Sequence, residues 1–183
     1  MFIDTRSEFI FRDPDALEAL LQYDWRTRLV LTDGEVVGEP GRPGAVRGTD
    51  GSSAILRHMQ RLNCIKALHG VRRQGGRMRL WRVEQVLKLQ AALDLKGLTG
   101  ERMSACAEAL AGPAAEAVEA AVAGWRRHVG TAAPSPAAPA RLRRYEAGLL
   151  ADPPRVARAV ETSVRRFVAE NRFDAVEAPA FLL

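Results

Sequence analysis

A mainly α-helical fold with a small β component is what this sequence predicts, on three observations. Ala, Leu and Val are abundant while aromatic residues make up only 6% of the chain, which favours helices in close contact. From Ser52 onward, several segments repeat apolar residues at three- and four-residue spacing. Short β-type runs are confined to the N-terminal part and to the residues around Gly75-Gly76. The chain has 183 residues, 47% hydrophobic and 27% charged, enough for one generous domain or two small ones and ordinary for a folded protein.

Near the N-terminus, Phe9-Ile10-Phe11 suits a strand. Asp13-Pro14 supplies a cap and a proline for the first turn of a helix that puts Leu17, Leu20 and Leu21 on one side. Arg28–Thr32 and Glu35–Val37 flank Asp33-Gly34, a strong hairpin signal. Glycine and proline are dense from Gly38 to Gly51, which predicts a loop or linker and a boundary near residue 48. Ser52 and Ser53 can cap a helix to Leu62, with Ile55, Met59 and Leu62 on one face and Ala54, Arg57, His58 and Arg61 on another. Ile65 to Leu80 reads as strand, turn and return strand.

Arg82 to Leu95 reads as a helix stopped by Gly97. Thr99 is placed to cap the next, with Leu98 and Met103 as a hydrophobic staple and an end near Gly112-Pro113. Ala114–Val129 predicts a further helix with Val118, Val122 and Trp125 on one side. Residues 130–140 are a Pro/Ala linker, and Arg141–Leu150 and Pro153–Glu170 are expected to be helical. The last is strongly amphipathic: Val156, Val160, Val164, Phe167 and Val168 form a stripe that needs a partner, either its own chain or a second copy. The expected division is a small mixed α/β element at 1–48, a central unit at 49–112, and a helical, self-associating region at 113–183.

Charge is unevenly placed. Residues 1–50 carry ten acids against six bases, whereas residues 51–83 carry eight Lys or Arg and no Asp or Glu. Such a dipolar chain has a face for a polyanion. A basic helix followed by an Arg-rich turn, Arg72-Arg73-Gln74-Gly75-Gly76-Arg77-Met78-Arg79, is the pattern of a winged helix-turn-helix that holds phosphates and puts side chains in a groove. The expected partner is double-stranded DNA.

Residues 52–112 also resemble the MerR family of bacterial transcriptional regulators. Leu56-Arg57-His58-Met59-Gln60-Arg61-Leu62-Asn63-Cys64-Ile65 is similar to the phrase that usually follows that family's recognition helix. Gly75-Gly76-Arg77-Met78-Arg79-Leu80-Trp81 is similar to its wing, and Val83–Leu89 with Lys96-Gly97-Leu98-Thr99 to the helix and turn after the wing. The resemblance implies that Ser53, Arg57, His58 and Arg61 lie on the helix entering the major groove, with Arg72, Arg73, Arg77 and Arg79 serving the wing. The chain departs from the family in two places. Gly38–Thr49 stands where the family has the first helix of its motif, and a proline linker replaces the long C-terminal coiled coil. Excisionases and phage terminase small subunits share the winged module, so an architectural or packaging role is an alternative; an antitoxin or adaptor binding a protein through the C-terminal helices is another.

Other chemistries have little to stand on. No nucleophile, base and orienting group share a motif, so catalysis is not expected. Cys64, His69 and His58 lie close in sequence but lack a second ligand cluster, so neither a metal nor another cofactor is expected. Gly48–Ser53 lacks the Gly-Lys-[Ser/Thr] ending of a nucleotide loop. Two cysteines without a CxxC spacing, no membrane-length apolar run and an early-charged N-terminus predict a cytoplasmic protein that does not enter a membrane.

Overall fold

In the computed structural model, which describes residues 8–125, 145–171 and 173, eight α-helices surround and extend a four-stranded sheet. Strand β1 (Glu8–Phe11) leads into α1 (Pro14–Leu21), where Pro14 opens the helix and the Asp13 carboxylate accepts from the Asp15 N–H at 2.9 Å. A short α2 (Trp25–Arg28) is capped in the same way by Asp24. Strand β2 (Val30–Thr32) then meets a departure from expectation. Asp33-Gly34 makes no hairpin but opens helix α3 (Asp33–Val37). The cause is a capping box: the Thr32 hydroxyl accepts from the Glu35 N–H, and the Glu35 carboxylate accepts from the Thr32 N–H at 2.8 Å.

Residues 38–51 are not a linker. They form a tiny hairpin of β3 (Gly38–Glu39) and β4 (Arg42–Pro43), and then Ala45 and Val46 enter the core. Ala45 and Val46 N–H groups bond back to Glu35 and Val36 carbonyls, so the segment is stitched to α3. Helix α4 (Ala54–Arg61) and a hairpin of β5 (Leu68–Val71) and β6 (Arg77–Arg82) come next, as the sequence predicts. Helix α5 (Val83–Thr99) runs through Gly97 instead of stopping there, and ends where Gly100 takes a φ of 69°. Eight buried residues along α5 outweigh the roughly 1 kcal/mol that an interior glycine costs. Thr99 does not cap the next helix, α6 (Met103–Ala111): its hydroxyl donates to the Leu95 carbonyl at 2.7 Å, and Arg102 takes the cap position. Leu98 is left exposed, so the staple is absent.

Helix α7 (Ala115–Ala123) buries Val118 and Val122, with Trp125 just beyond it. The remainder of the helix expected to Val129, the linker at 130–140 and residues 141–144 lie outside the described residues. Within the stretch expected to continue as helix to Leu150, Tyr145–Gly148 is turn and coil, with one 3-10 turn (Leu149–Ala151) after it. Helix α8 (Pro153–Glu170) begins at Asp152, whose side chain accepts from the Arg155 N–H.

The strand order is β1-β5-β6-β2, with β1 parallel to β5 and the other pairs antiparallel. One face of the sheet holds Val30, Leu68 and Leu80 against Leu17 and Leu20 of α1, with Phe11 alongside. Leu31 and Trp81 join the larger core formed with α3, α4, α5, α6, α7 and α8. The stripe on α8 is covered from within: Val156, Val160, Val164, Phe167 and Val168 are all buried, with α8 packed on α5, α6 and α7. Its apolar side therefore gives no reason to invoke a second copy. Strand pairings cross residue 48, and the larger core crosses both 48 and 112.

Candidate nucleic-acid interface

Helix α4 divides its residues by burial. Leu56 and Met59 are 1% and 0% exposed and fix the helix to the core, leaving Arg57, His58 and Arg61 exposed on the opposite side. The sequence periodicity placed Ile55 and Leu62 on the inner face, but both are only partly buried and Leu56 is the anchor it missed. Ser53 occupies the cap position without a side-chain cap bond; the Ser52 hydroxyl instead accepts from the Ala54 N–H at 3.2 Å. The helix closes at Asn63, whose φ of 56° lets the Cys64 N–H reach back to the Met59 carbonyl at 3.1 Å. Asparagine tolerates this left-handed geometry better than most residues.

The hairpin register runs from Leu68 opposite Leu80 to Val71 opposite Arg77, which leaves Arg72–Gly76 as the tip. The tip is held by an Arg72 N–H bond to the Gly76 carbonyl at 2.8 Å and a Gly75 N–H bond to the Arg72 carbonyl at 3.0 Å. Gly75 has a φ of 81°, a conformation that a side chain would strain. Arg72, Arg73 and Arg77 are exposed around this tip.

The acidic N-terminal part reaches two of the predicted arginines. Arg79 is turned inward, ion-paired with Asp33 at the start of α3, with its guanidinium 5.8 Å from the Trp81 ring centre. Asp33 also accepts from Trp81 Nε1 at 2.7 Å. Arg79 thus serves the sheet–α3 junction and is not available to the hairpin tip. Arg73 Nε lies 2.6 Å from the Asp15 carboxylate on α1, and that hydrogen bond together with the carboxylate charge raises the Arg73 pKa further. Both side chains are mostly exposed, 64% and 74%, so water screens the pair and Arg73 can exchange partners. Arg57, His58, Arg61 and Arg72 make no ion pair with a described residue. The structure therefore brings Arg57, His58 and Arg61 to solvent on α4 and Arg72, Arg73 and Arg77 to solvent around the hairpin tip, and withdraws Arg79.

Cys64, His58 and His69 do not assemble into a ligand cluster, and among the described residues no group of three His, Cys, Asp or Glu is placed to hold a metal. Burial pushes the Cys64 thiol up to about 11, against a smaller opposing pull from Lys88. A thiol so protonated is a poor ligand and a poor nucleophile. Among the described residues no helix is long and apolar enough to cross a membrane. No protein-family model, curated protein or solved structure matches the chain, so the likeness to MerR regulators rests on the motifs within residues 52–112 alone.

Proposed function

We propose that this protein binds double-stranded DNA through a winged-helix surface, with α4 in the major groove and the β5–β6 tip on the flanking phosphates, as a MerR-like regulator of transcription. The observation that carries the reading is the placement of Arg57, His58 and Arg61 on the exposed side of a helix anchored by Leu56 and Met59, within a stretch free of Asp and Glu from Gly51 to Val83. Two further features support it. The order α4, hairpin, α5 is that of the module; a short helix, α3 (Asp33–Val37), precedes α4 and is separated from it by the β3–β4 hairpin and coil. Arg57 and Arg61 are one helical turn apart and can address neighbouring base edges, where arginine pairs with guanine. The binding itself is physical: guanidinium groups displace counterions from phosphates, and a base contact adds about 1–3 kcal/mol of discrimination.

Fluorescence anisotropy with a randomised-then-selected duplex, titrated from 50 to 300 mM salt, tests this. Five arginines at the surface (Arg57, Arg61, Arg72, Arg73, Arg77) set an upper slope of log K against log[salt] near −4 to −5, at about −0.9 per phosphate neutralised. Replacing the tip residues Arg72 and Arg73 by Gln together should flatten it by about 2, whereas replacing Arg57 and Arg61 should chiefly relax base preference. Binding that ignores salt, or that is unchanged after Arg57, Arg61, Arg72 and Arg77 are all neutralised, overturns the proposal.

A further inference from the structure

A second basic feature lies away from α4 and the hairpin. Between α5, α8 and the turn at Tyr145–Leu149 runs a cleft of about 940 Å³, within the range of small-molecule sites. Arg47, Lys96, Arg155, Arg158 and Arg166 line it. Among the described residues that line it, the acids are Asp94 and Glu146.

The two acids are already engaged. Asp94 accepts from the Ser163 hydroxyl at 2.6 Å, from Gln90 Nε2 at 3.0 Å and from Arg47 Nη2 at 3.4 Å, so its charge is answered by its own neighbours. Glu146 pairs with Arg155 at 3.2 Å, and both partners are substantially exposed. Arg166 pairs with Glu170 on its own helix in a likewise exposed bond. Lys96 and Arg158 make no ion pair with a described residue and are exposed. Arg47 also pairs with Glu170 at 2.5 Å, so Lys96 and Arg158 are the cleft cations that no described carboxylate answers.

The other half of the site is apolar. Three large hydrophobic side chains among the described residues are strongly exposed, and two of them, Leu98 at 36% and Tyr145 at 65%, line this cleft. Tyr145 is held in place: the Glu146 N–H donates to the Leu98 carbonyl at 2.7 Å, and the ring lies against Gly100. An exposed ring lining the same cleft as Lys96 and Arg158 is suited to a ligand that is itself part ring and part anion. We infer that the cleft between α5 and α8 binds a small organic anion, a phosphate or carboxylate carried on a planar ring, with Lys96 and Arg158 taking the anionic group and Tyr145 and Leu98 the ring. Nothing in this inference depends on DNA binding.

Isothermal titration calorimetry with phenyl phosphate, without DNA, tests it, with inorganic phosphate and benzylammonium as comparison probes. Saturable binding of phenyl phosphate is expected, weaker binding of inorganic phosphate, and none of benzylammonium. The double variant Lys96→Gln/Arg158→Gln, at two exposed helix positions whose folding circular dichroism checks, should lose about tenfold or more in affinity for phenyl phosphate. Tyr145→Ala should lose about fivefold for phenyl phosphate while leaving inorganic phosphate unchanged. Absence of saturable binding, equal binding of benzylammonium, or an unchanged affinity in the folded double variant overturns the assignment.

Discussion

Replacing Arg28 by Met should cost this protein a large part of its stability. Arg28 is 1% exposed, and its guanidinium is used on every side. Nε donates to the Val30 carbonyl at 2.8 Å, and Nη1 donates to the Tyr23 carbonyl at 2.7 Å and the Leu21 carbonyl at 3.1 Å. Nη2 pairs with Glu35, the same carboxylate that closes the capping box of α3. One side chain thus ties the end of α1, the α2 turn, β2 and α3 together. Methionine fills similar space but takes the guanidinium donors from three carbonyls and leaves the partly buried Glu35 carboxylate with the Thr32 N–H and no countercharge. Removing one partner of a buried pair costs about 3–5 kcal/mol. Global stabilities run about 5–15 kcal/mol, so about a fifth or more is at stake. With an m-value of about 2 kcal/mol/M in urea, the midpoint should fall by about 2 M at unchanged m. Arg28→Lys, which keeps the charge but loses the planar fork, should fall roughly half as far. In the double variant Arg28→Met/Glu35→Gln the two costs should add to less than their sum, because no orphan charge is left. A midpoint shift under about 0.5 M for Arg28→Met would refute the reasoning, since a cost that small belongs to an exposed arginine.

Three more perturbations have outcomes set by the same geometry. Asp15→Ala removes the carboxylate that competes for Arg73; if the hairpin tip meets phosphate, DNA affinity measured by anisotropy at low salt should rise a few-fold, an effect of at most about 1 kcal/mol for so exposed a pair. Gly44→Ala should destabilise the fold by about 1–3 kcal/mol in thermal melts. A Cβ at residue 44 would stand 2.4 Å from Gly38 N and the Val36 carbonyl, backbone atoms that cannot swing aside. The Cys64 thiol, with a pKa of about 11 against an ordinary value of 9.0, should react with iodoacetamide at pH 8 about a hundredfold more slowly in the folded protein than in urea. Because the folded state holds that proton more tightly, the contribution of Cys64 to stability should be constant below pH 9 and decline between pH 9 and 11; the Cys64→Ser variant should lack that decline.

Much of the architecture was legible because it is written locally. Asp13-Pro14 opens α1, Gly75-Gly76 turns the hairpin, and the valine and phenylalanine spacing of α8 marks its buried side, all as read from neighbouring residues. The misreadings arose where two local signals compete or where the deciding partner is distant. Asp33-Gly34 reads as a hairpin until Thr32 and Glu35 are seen to form a capping box around it. Gly97 reads as a stop, but the buried side of α5 carries the helix past it. The Gly/Pro-rich stretch reads as a linker because the contacts of Ala45 and Val46, including an Asn171 amide bond to the Ala45 carbonyl across 126 positions, cannot be seen from spacing. The basic segment was read from charge alone, yet the pairing of Arg79 with Asp33 and of Arg73 with Asp15 spans 46 and 58 positions, so the sequence overcounted the unpaired cations. The α5–α8 cleft was missed for the same reason: Lys96 and Arg158 come together only in the fold.

The position of α8 in the chain has a consequence for how the protein is made. The apolar side of α5 is complete once residue 99 has been synthesised, but the part of its cover that α8 supplies begins only at Pro153. More than fifty residues must leave the ribosome before that share of the oily surface is shielded, an interval of several seconds at ordinary elongation rates of about 5–20 residues per second. During that interval the half-built chain is a natural client for holdase chaperones, and a nonsense mutation ahead of α8 would yield a sticky fragment in place of a smaller working module.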